Sequence, residues 1–98
     1  TATSIRSARA SDPGATGAFL VRVTAGPDAG ASLTIDAATP GRVLVGQSPA
    51  CALRLQDREA SRRHLALTLE GERLRLTDLG STNGTFVGRL AVTDVFLE

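Results

Sequence analysis

The stretch His64–Leu79, HLALTLEGERLRLTDL, decides the fold because its leucines recur at every second residue on both sides of a short turn. A period of two residues is that of a β-strand with one buried face, and Glu70–Gly71 is typical of a turn between strands. The stretch therefore predicts a β-hairpin. The leucines that would face the core are Leu65, Leu67, Leu69, Leu74 and Leu76.

The same alternation recurs on both sides of this hairpin. Turn-forming residues such as GPDAG (Gly26–Gly30) and ATPG (Ala38–Gly41) separate the segments. Seven short segments without a 3.6-residue period predict an all-β fold, a two-sheet antiparallel β-sandwich. The other five segments are FLVRVTAG from Phe19, ASLTID, RVLVG, ALRLQ and TFVGRL.

The amino-terminal part of the chain lacks this pattern. Residues 1–17, TATSIRSARASDPGATG, are rich in Ala, Ser, Thr and Gly without apolar periodicity. This composition is typical of a flexible tail or linker. We therefore expect the folded domain to cover residues 18–98.

Composition excludes several classes of function. A chain of 98 residues with a net charge of +1 is one small domain without a global field for nucleic acid or an anionic membrane. Three phenylalanines, the only aromatic residues, give no stacking platform for bases, and no apolar run approaches the ~18 residues of a membrane span. A single cysteine, Cys51, fits a reducing compartment such as the cytoplasm. We expect no metal site and no cofactor.

Three connecting segments are longer and more polar than the hairpin turn: Gly46–Cys51, Gln56–His64 and Leu79–Thr85. Loops of a sandwich cluster at its two ends, so these three would form one polar patch if they share an end. Hydroxyl, amide and guanidinium donors of this kind suit the acceptor oxygens of a phosphate. The candidate binding residues are Gln47, Ser61, Arg62, Thr82 and Asn83.

Each candidate also has a simpler interpretation. Asn83–Gly84 is a common type I′ hairpin turn, Ser81 and Thr82 can satisfy local backbone groups, and Arg62 is an ordinary solvated charge. Ser61, His64 and Asp78 could in principle form a nucleophile, base and orienting acid. The sequence contains no G-x-S-x-G nucleophile elbow, so His64 is better interpreted as a hydrogen-bonded residue that fixes the loop of Ser61.

Taken together, VLVGQSPACALRLQDREASRRHLAL and LTDLGSTNGTFV resemble the forkhead-associated (FHA) domain of bacterial type, over about Phe19 to Leu90. The matching motifs are Ser61–His64 and Asp78–Thr85. The resemblance implies a non-enzymatic FHA/SMAD-like sandwich that binds phosphothreonine peptides. Ser61 and Arg62 would hold the phosphate, and Thr82 and Asn83 would hold the peptide. Loop-structuring roles would fall to Gly46, His64 and Gly84.

One departure from the family bears on the phosphate. The Gly-Arg pair of the family is Gly46–Gln47 here, so a neutral amide replaces a cation. Hydrogen bonds to charged groups contribute about 1.5–3 kcal/mol and neutral ones about 0.5–1.5, so affinity would fall roughly tenfold. The alternative is a degenerate FHA domain that mediates phosphate-independent interaction or dimerisation.

The carboxyl end is short for the family. The resemblance implies one or two more strands after Leu90, but only AVTDVFLE remains. Either this segment supplies an edge strand, or the chain is a piece of a longer protein and lacks its last strands, and we favour the second alternative. An unpaired edge can pair with a second copy, so a homodimer stays open. The family implies a parent protein in bacterial signalling or transcription regulation.

Overall fold

The computed structural model describes residues 2–9, 18–36, 38 and 41–97. These residues form ten β-strands. No helix in this described part of the chain is long and apolar enough to cross a membrane. The strands are β1 (Thr3–Arg9), β2 (Phe19–Val23), β3 (Ser32–Ile35), β4 (Arg42–Gly46), β5 (Leu53–Arg54), β6 (Leu65–Glu70), β7 (Arg73–Asp78), β8 (Thr85–Val87), β9 (Leu90–Val92) and β10 (Asp94–Leu97).

The strands form two five-stranded sheets. Sheet A has the order β3-β2-β1-β8-β9, and sheet B has the order β10-β7-β6-β4-β5. The predicted all-β sandwich is confirmed, with one correction. Each sheet is mixed, because β1 pairs with β8 and β4 pairs with β5 in parallel.

The core lies between the sheets and contains four of the five leucines predicted from the hairpin, while Leu69 is partly buried against it. In the β6–β7 register, Leu67 lies opposite Leu76 and Leu69 opposite Leu74. Full burial of such a side chain stabilises the fold by about 1.5–3 kcal/mol. Sheet A contributes Ile5, Phe19, Val21, Val23 and Ile35, and sheet B contributes Val43, Val45, Leu65, Leu67, Leu74, Leu76 and Leu97.

Strand β1 corrects the prediction of a flexible tail for residues 1–17. Residues 3–9 lie in the middle of sheet A, where they pair with β2 on one side and β8 on the other. Ile5 is 1% exposed, and the inward positions on either side of it are occupied by Thr3 and Ser7. With one apolar residue on its inward face, the strand has no hydrophobic alternation to recognise. Residues 10–17, the rest of the predicted tail, lie outside the described residues.

The short carboxyl segment forms two strands. Leu90–Val92 pairs with β8, and Asp94–Leu97 pairs with β7 at the edge of sheet B. Asp94–Leu97 is therefore an edge strand, as the first of the two alternatives predicts. Leu90 is the one large apolar side chain that is strongly exposed among the described residues, at 71%.

Candidate functional site

The three polar loops meet at one end of the sandwich. The backbone N–H of Gln47 donates to the Ser61 carbonyl at 3.0 Å, which joins the first two loops. The backbone N–H of Thr82 donates to Ser61 Oγ at 3.2 Å, and Asn83 Nδ2 donates to the Glu59 carbonyl at 2.9 Å. Gln47, Ser61, Thr82 and Asn83 thus belong to one surface.

Gly46 lets two of these loops approach each other. A Cβ atom there would lie 2.3 Å from the Arg62 carbonyl oxygen and 2.8 Å from His64 N. Those neighbours are backbone atoms that cannot rotate away. The Arg62 carbonyl also accepts hydrogen bonds from the Ser48 N–H at 2.9 Å and from Cys51 Sγ at 3.3 Å. The backbone that carries the exposed Arg62 side chain is therefore held firmly.

His64 joins the loop of Ser61 to the loop of Asn83. Its ring is fully buried, Nε2 lies 2.7 Å from the Gly84 carbonyl, and Nδ1 accepts the Ser61 backbone N–H at 3.2 Å. This arrangement requires the neutral ring with its proton on Nε2. Because both ring nitrogens bond to backbone groups, neither bonds to Ser61 Oγ. The geometry gives no support to a Ser-His-Asp triad.

Asp78 organises the third loop. Its Oδ2 accepts the backbone N–H groups of Gly80 and Ser81, and its Oδ1 accepts the hydroxyls of Ser81 and Thr85. Partial burial raises the pKa of Asp78, but the hydrogen bonds from Ser81 and Thr85 outweigh it and hold the pKa below its ordinary value. The loop is therefore fixed by an ionised carboxylate.

The hairpin interpretation of Asn83–Gly84 is wrong. A type I′ turn needs positive φ at both central residues, and within the described residues only glycines have positive φ. The strands on either side also belong to different sheets, since β7 is in sheet B and β8 in sheet A. Asn83 instead uses its side-chain amide to hold the loop of Glu59, while Gly84 takes a φ of 87°.

Gln47 is placed between two neighbouring segments. Its side-chain Nε2 lies 3.4 Å from the Asp57 carbonyl oxygen. Its backbone carbonyl accepts a hydrogen bond from the Nε–H of the exposed Arg54 at 3.1 Å. The side-chain amide thus has a weak bond to the loop that precedes Ser61. Arg54, which sequence reasoning did not select, brings a guanidinium beside the position where the family has its arginine.

Sequence reasoning also missed Asp28, in the GPDAG turn. Its two carboxylate oxygens accept the backbone N–H groups of Gln56 at 2.7 Å and Asp57 at 3.0 Å. This side chain ties the β2–β3 turn to the loop that leads to Ser61. An aspartate in a glycine-rich turn is usually interpreted through its own turn, so no local pattern pointed to a contact 28 residues away.

The resulting surface presents donors to solvent. Arg62, Thr82 and Asn83 are exposed and Ser61 is half-buried. Ser61 Oγ accepts the Thr82 N–H, which leaves its O–H proton for a ligand. Within the described residues no cluster of His, Cys, Asp or Glu could hold a metal ion. The sandwich thus presents hydroxyl, amide and guanidinium groups together on one loop surface, and these are groups that suit the oxygens of an anion.

The chain belongs to the FHA domain family, whose profile matches residues 43–97, more than half of the chain. It is 37% identical over 81 residues to the glycogen accumulation regulator GarA of Mycolicibacterium smegmatis, covering 83% of this chain and 49% of that protein. It is 41% identical over 75 residues to FhaB of Mycobacterium tuberculosis, covering 76% and 46%. The chain thus spans about half the length of these relatives.

Solved structures share the fold. One, from work on phosphothreonine-dependent FHA domain interactions, has a TM-score of 0.67 and 31% identity, with 83% of this chain and 78% of that chain covered. Another contains the FhaA FHA domain complexed with the intracellular domain of Rv3910. Its TM-score is 0.63 at 33% identity, with 70% and 72% covered. The fold of this chain is therefore shared with solved FHA domains, one of which comes from work on phosphothreonine-dependent interactions.

Proposed function

We propose that this domain binds phosphothreonine peptides through the loop surface of Ser61, Arg62, Thr82 and Asn83. The observation that carries the proposal is the position of Ser61. Its backbone N–H is held by His64, and its Oγ accepts the Thr82 N–H. The hydroxyl is thus prepositioned as a donor beside three exposed polar side chains.

The chemistry of the surface matches a phosphorylated side chain. A phosphothreonine carries a charge of about −1.5 to −2 and three acceptor oxygens. Ser61 and Arg62 supply a hydroxyl and a guanidinium for those oxygens, and the exposed groups of Thr82 and Asn83 are available to the peptide. Selectivity for neighbouring residues would come from Arg58 and Glu59, which lie in the loop just before Ser61.

The family supports a role in phospho-dependent signalling between proteins. FHA domains are interaction modules, and a related structure comes from work on phosphothreonine-dependent interactions. One further relative is named oxoglutarate dehydrogenase inhibitor, from Corynebacterium jeikeium, which is a regulator by name. We propose that this domain serves a larger bacterial signalling or transcription-regulatory protein of the cytoplasm, where its buried, free Cys51 stays reduced.

The test is a titration of phosphothreonine peptides against unphosphorylated peptides of the same sequence, by isothermal calorimetry. We expect binding of the phosphorylated set only, and a loss of at least about tenfold in Ser61→Ala, because a charge-assisted hydrogen bond is removed. Ser32→Ala, an exposed serine on β3, is the matched control and should bind normally. Equal affinity for both peptide sets would refute the proposal.

Gln47 supports a second candidate function, in which the domain has kept the fold but binds or dimerises without phosphate. Its amide contacts the Asp57 backbone and adds no positive charge. The same titration separates the two candidates, since this one predicts equal affinity for both peptide sets. Sedimentation of the free domain would then test dimerisation.

A further inference from the structure

Sheet A carries positive charge without acidic side chains that would neutralise it. Its outer surface carries Arg6 and Arg22, and its five strands contain no aspartate or glutamate. The strands of sheet B, in contrast, mix arginines with three acidic residues. Acidic residues therefore occur beside arginines in the strands of sheet B but not in the strands of sheet A.

These two arginines lie side by side. Arg6 on β1 is directly opposite Arg22 on β2. Both side chains are exposed, because their neighbours Ile5, Val21 and Val23 point into the core. Like charges in directly opposed positions of a sheet repel each other. Within the described part of the chain neither guanidinium forms an ion pair.

The surface beside the two guanidinium groups is apolar. Ala8 lies opposite Leu20, two residues along the strands from the arginine pair. Both side chains contribute to a shallow depression of about 280 Å³. The other residues that line the depression are Arg6, Arg22, Ser7 and Thr24. We call this depression the Arg6–Arg22 surface. It suits a segment that carries both carboxylates and aliphatic side chains.

The Arg6–Arg22 surface lies close to the phosphopeptide loops. Strand β1 begins at the site, where the Thr3 backbone N–H donates to the Gly84 carbonyl at 3.1 Å. A strand rises about 3.3 Å per residue, so Arg6 lies roughly 10 Å from that loop. A peptide held at Thr82 and Asn83 can therefore reach the surface with about three or four further extended residues.

We propose that the Arg6–Arg22 surface binds an acidic segment of the phosphorylated partner, adjacent in sequence to its phosphothreonine. This inference rests on the proposed function, since the loops supply the first attachment point. The partner carboxylates would offset the repulsion between the two arginines. The partner would then be recognised by two signals, a phosphate and nearby acidic residues.

The experiment measures affinity for extended phosphopeptides at low salt. One phosphothreonine peptide is prepared in a short form and in two extended forms. The extensions are about six alternating Glu and Leu residues, placed either before or after the phosphothreonine. Matched peptides carry Gln in place of Glu. The proteins are the wild type, Arg6→Gln/Arg22→Gln, and the control Arg42→Gln, which removes an exposed arginine from sheet B.

In the wild type we expect at least one acidic extension to increase affinity about fivefold over its Gln counterpart, as two exposed ion pairs would. Arg42→Gln should keep this gain and Arg6→Gln/Arg22→Gln should lose it, while both bind the short peptide normally. A gain that persists in the double variant, that is lost equally in Arg42→Gln, or that never occurs would overturn the inference.

Failure of the proposed function has a different signature, because the short phosphopeptide would not bind at all. In that case the unphosphorylated Glu-Leu peptide is titrated at high concentration, and the Nε–Hε signals of the arginines are followed by NMR. Shifts confined to Arg6 and Arg22 would support the surface alone, and unchanged signals would overturn it.

Discussion

Among single residues, Gly84 connects the most distant parts of the chain. Its carbonyl oxygen faces His64 Nε2 at 2.7 Å and accepts the Thr3 backbone N–H at 3.1 Å. Its own N–H donates to Ser81 Oγ at 3.0 Å. The backbone of one residue thus holds the loop of Ser61, the third loop and the first strand together. The arrangement of the loops that we propose as the binding surface therefore depends on Gly84 and on the residues that it contacts.

Gln47→Arg tests whether position 47 reaches the phosphate. An arginine would restore the charge that the family places there, so we expect phosphothreonine-peptide affinity to rise about tenfold, the difference between a neutral and a charge-assisted hydrogen bond. Calorimetry provides the measurement. The double variant Gln47→Arg/Arg42→Gln keeps the net charge at +1 and should show the same gain, and an unchanged affinity would show that position 47 does not face the phosphate.

His64→Ala should destabilise the domain strongly. The change leaves a cavity and removes partners from the Ser61 N–H and the Gly84 carbonyl, at a cost of about 3 kcal/mol or more. The free energy of unfolding is measured in urea. Arg63→Ala, at the exposed neighbouring position, should change it by less than about 0.5 kcal/mol. Equal stability of the two variants would contradict the structural role of the ring.

The lowered pKa of Asp78 predicts that the domain loses stability in acid. Because the pKa of Asp78 in the folded protein lies below 3.8, the ionised carboxylate stabilises the fold above the ordinary value, and this contribution is lost as the pH falls through the folded pKa. Urea unfolding between pH 7 and about pH 2 measures it. Asp78→Asn should be less stable by about 1 kcal/mol at pH 7 and lack this acid dependence.

Thr85→Val tests whether the hydrogen bond from Thr85 lowers the pKa of Asp78. It keeps the shape of the buried side chain but removes the hydroxyl that donates to Asp78 Oδ1 at 2.8 Å. The pKa of Asp78 should then rise towards its ordinary value, and the acid loss should begin at higher pH. An identical pH profile in this variant would show that Thr85 does not stabilise the carboxylate.

Among the strands, β1 shows what local pattern can and cannot predict. The hairpin β6–β7 follows directly from alternating leucines, and the same reasoning located β2, β3, β4 and β8. Strand β1 has one buried apolar residue, and its partners β2 and β8 lie elsewhere in the sequence. Its position is set by tertiary pairing, which no local period encodes. The two parallel pairs were unpredictable for the same reason.

Ile5→Ala tests the contribution of β1 to the fold. Ile5 is 1% exposed and belongs to the core cluster, so we expect a loss of about 3 kcal/mol in the free energy of unfolding. Leu90→Ala removes a similar aliphatic group at a position that is 71% exposed and should cost less than about 1 kcal/mol. Similar values for both variants would mean that β1 does not contribute to the core.

At the scale of the whole molecule, both sheets share one core cluster. The loops of the site are likewise tied across the sheets, since His64 precedes β6 of sheet B and Gly84 precedes β8 of sheet A. The motif Ser61–His64 followed by Asp78–Thr85 predicted which loops would meet. The contact of Asp28 with the Gln56–Asp57 backbone was missed because it depends on how distant turns approach each other in three dimensions.

A shared core predicts a single cooperative unfolding transition. Each sheet alone would expose one apolar face, so neither should persist without the other. Urea unfolding can be followed by far-UV circular dichroism and by the NMR methyl signals of Ile5 in sheet A and Leu76 in sheet B. All three curves should coincide. Separate midpoints for the two methyl groups would show that the sheets unfold independently.

The bond between Thr3 and Gly84 also has a practical consequence for biosensor design. Strand β1 begins beside the loops, whereas Leu97 pairs with Leu74 at the opposite end of sheet B from Asp78. A support coupled ahead of residue 3 would crowd the entry of a peptide. Coupling after residue 97 would leave the loops facing the solution, so the carboxyl end is the better anchor for immobilisation.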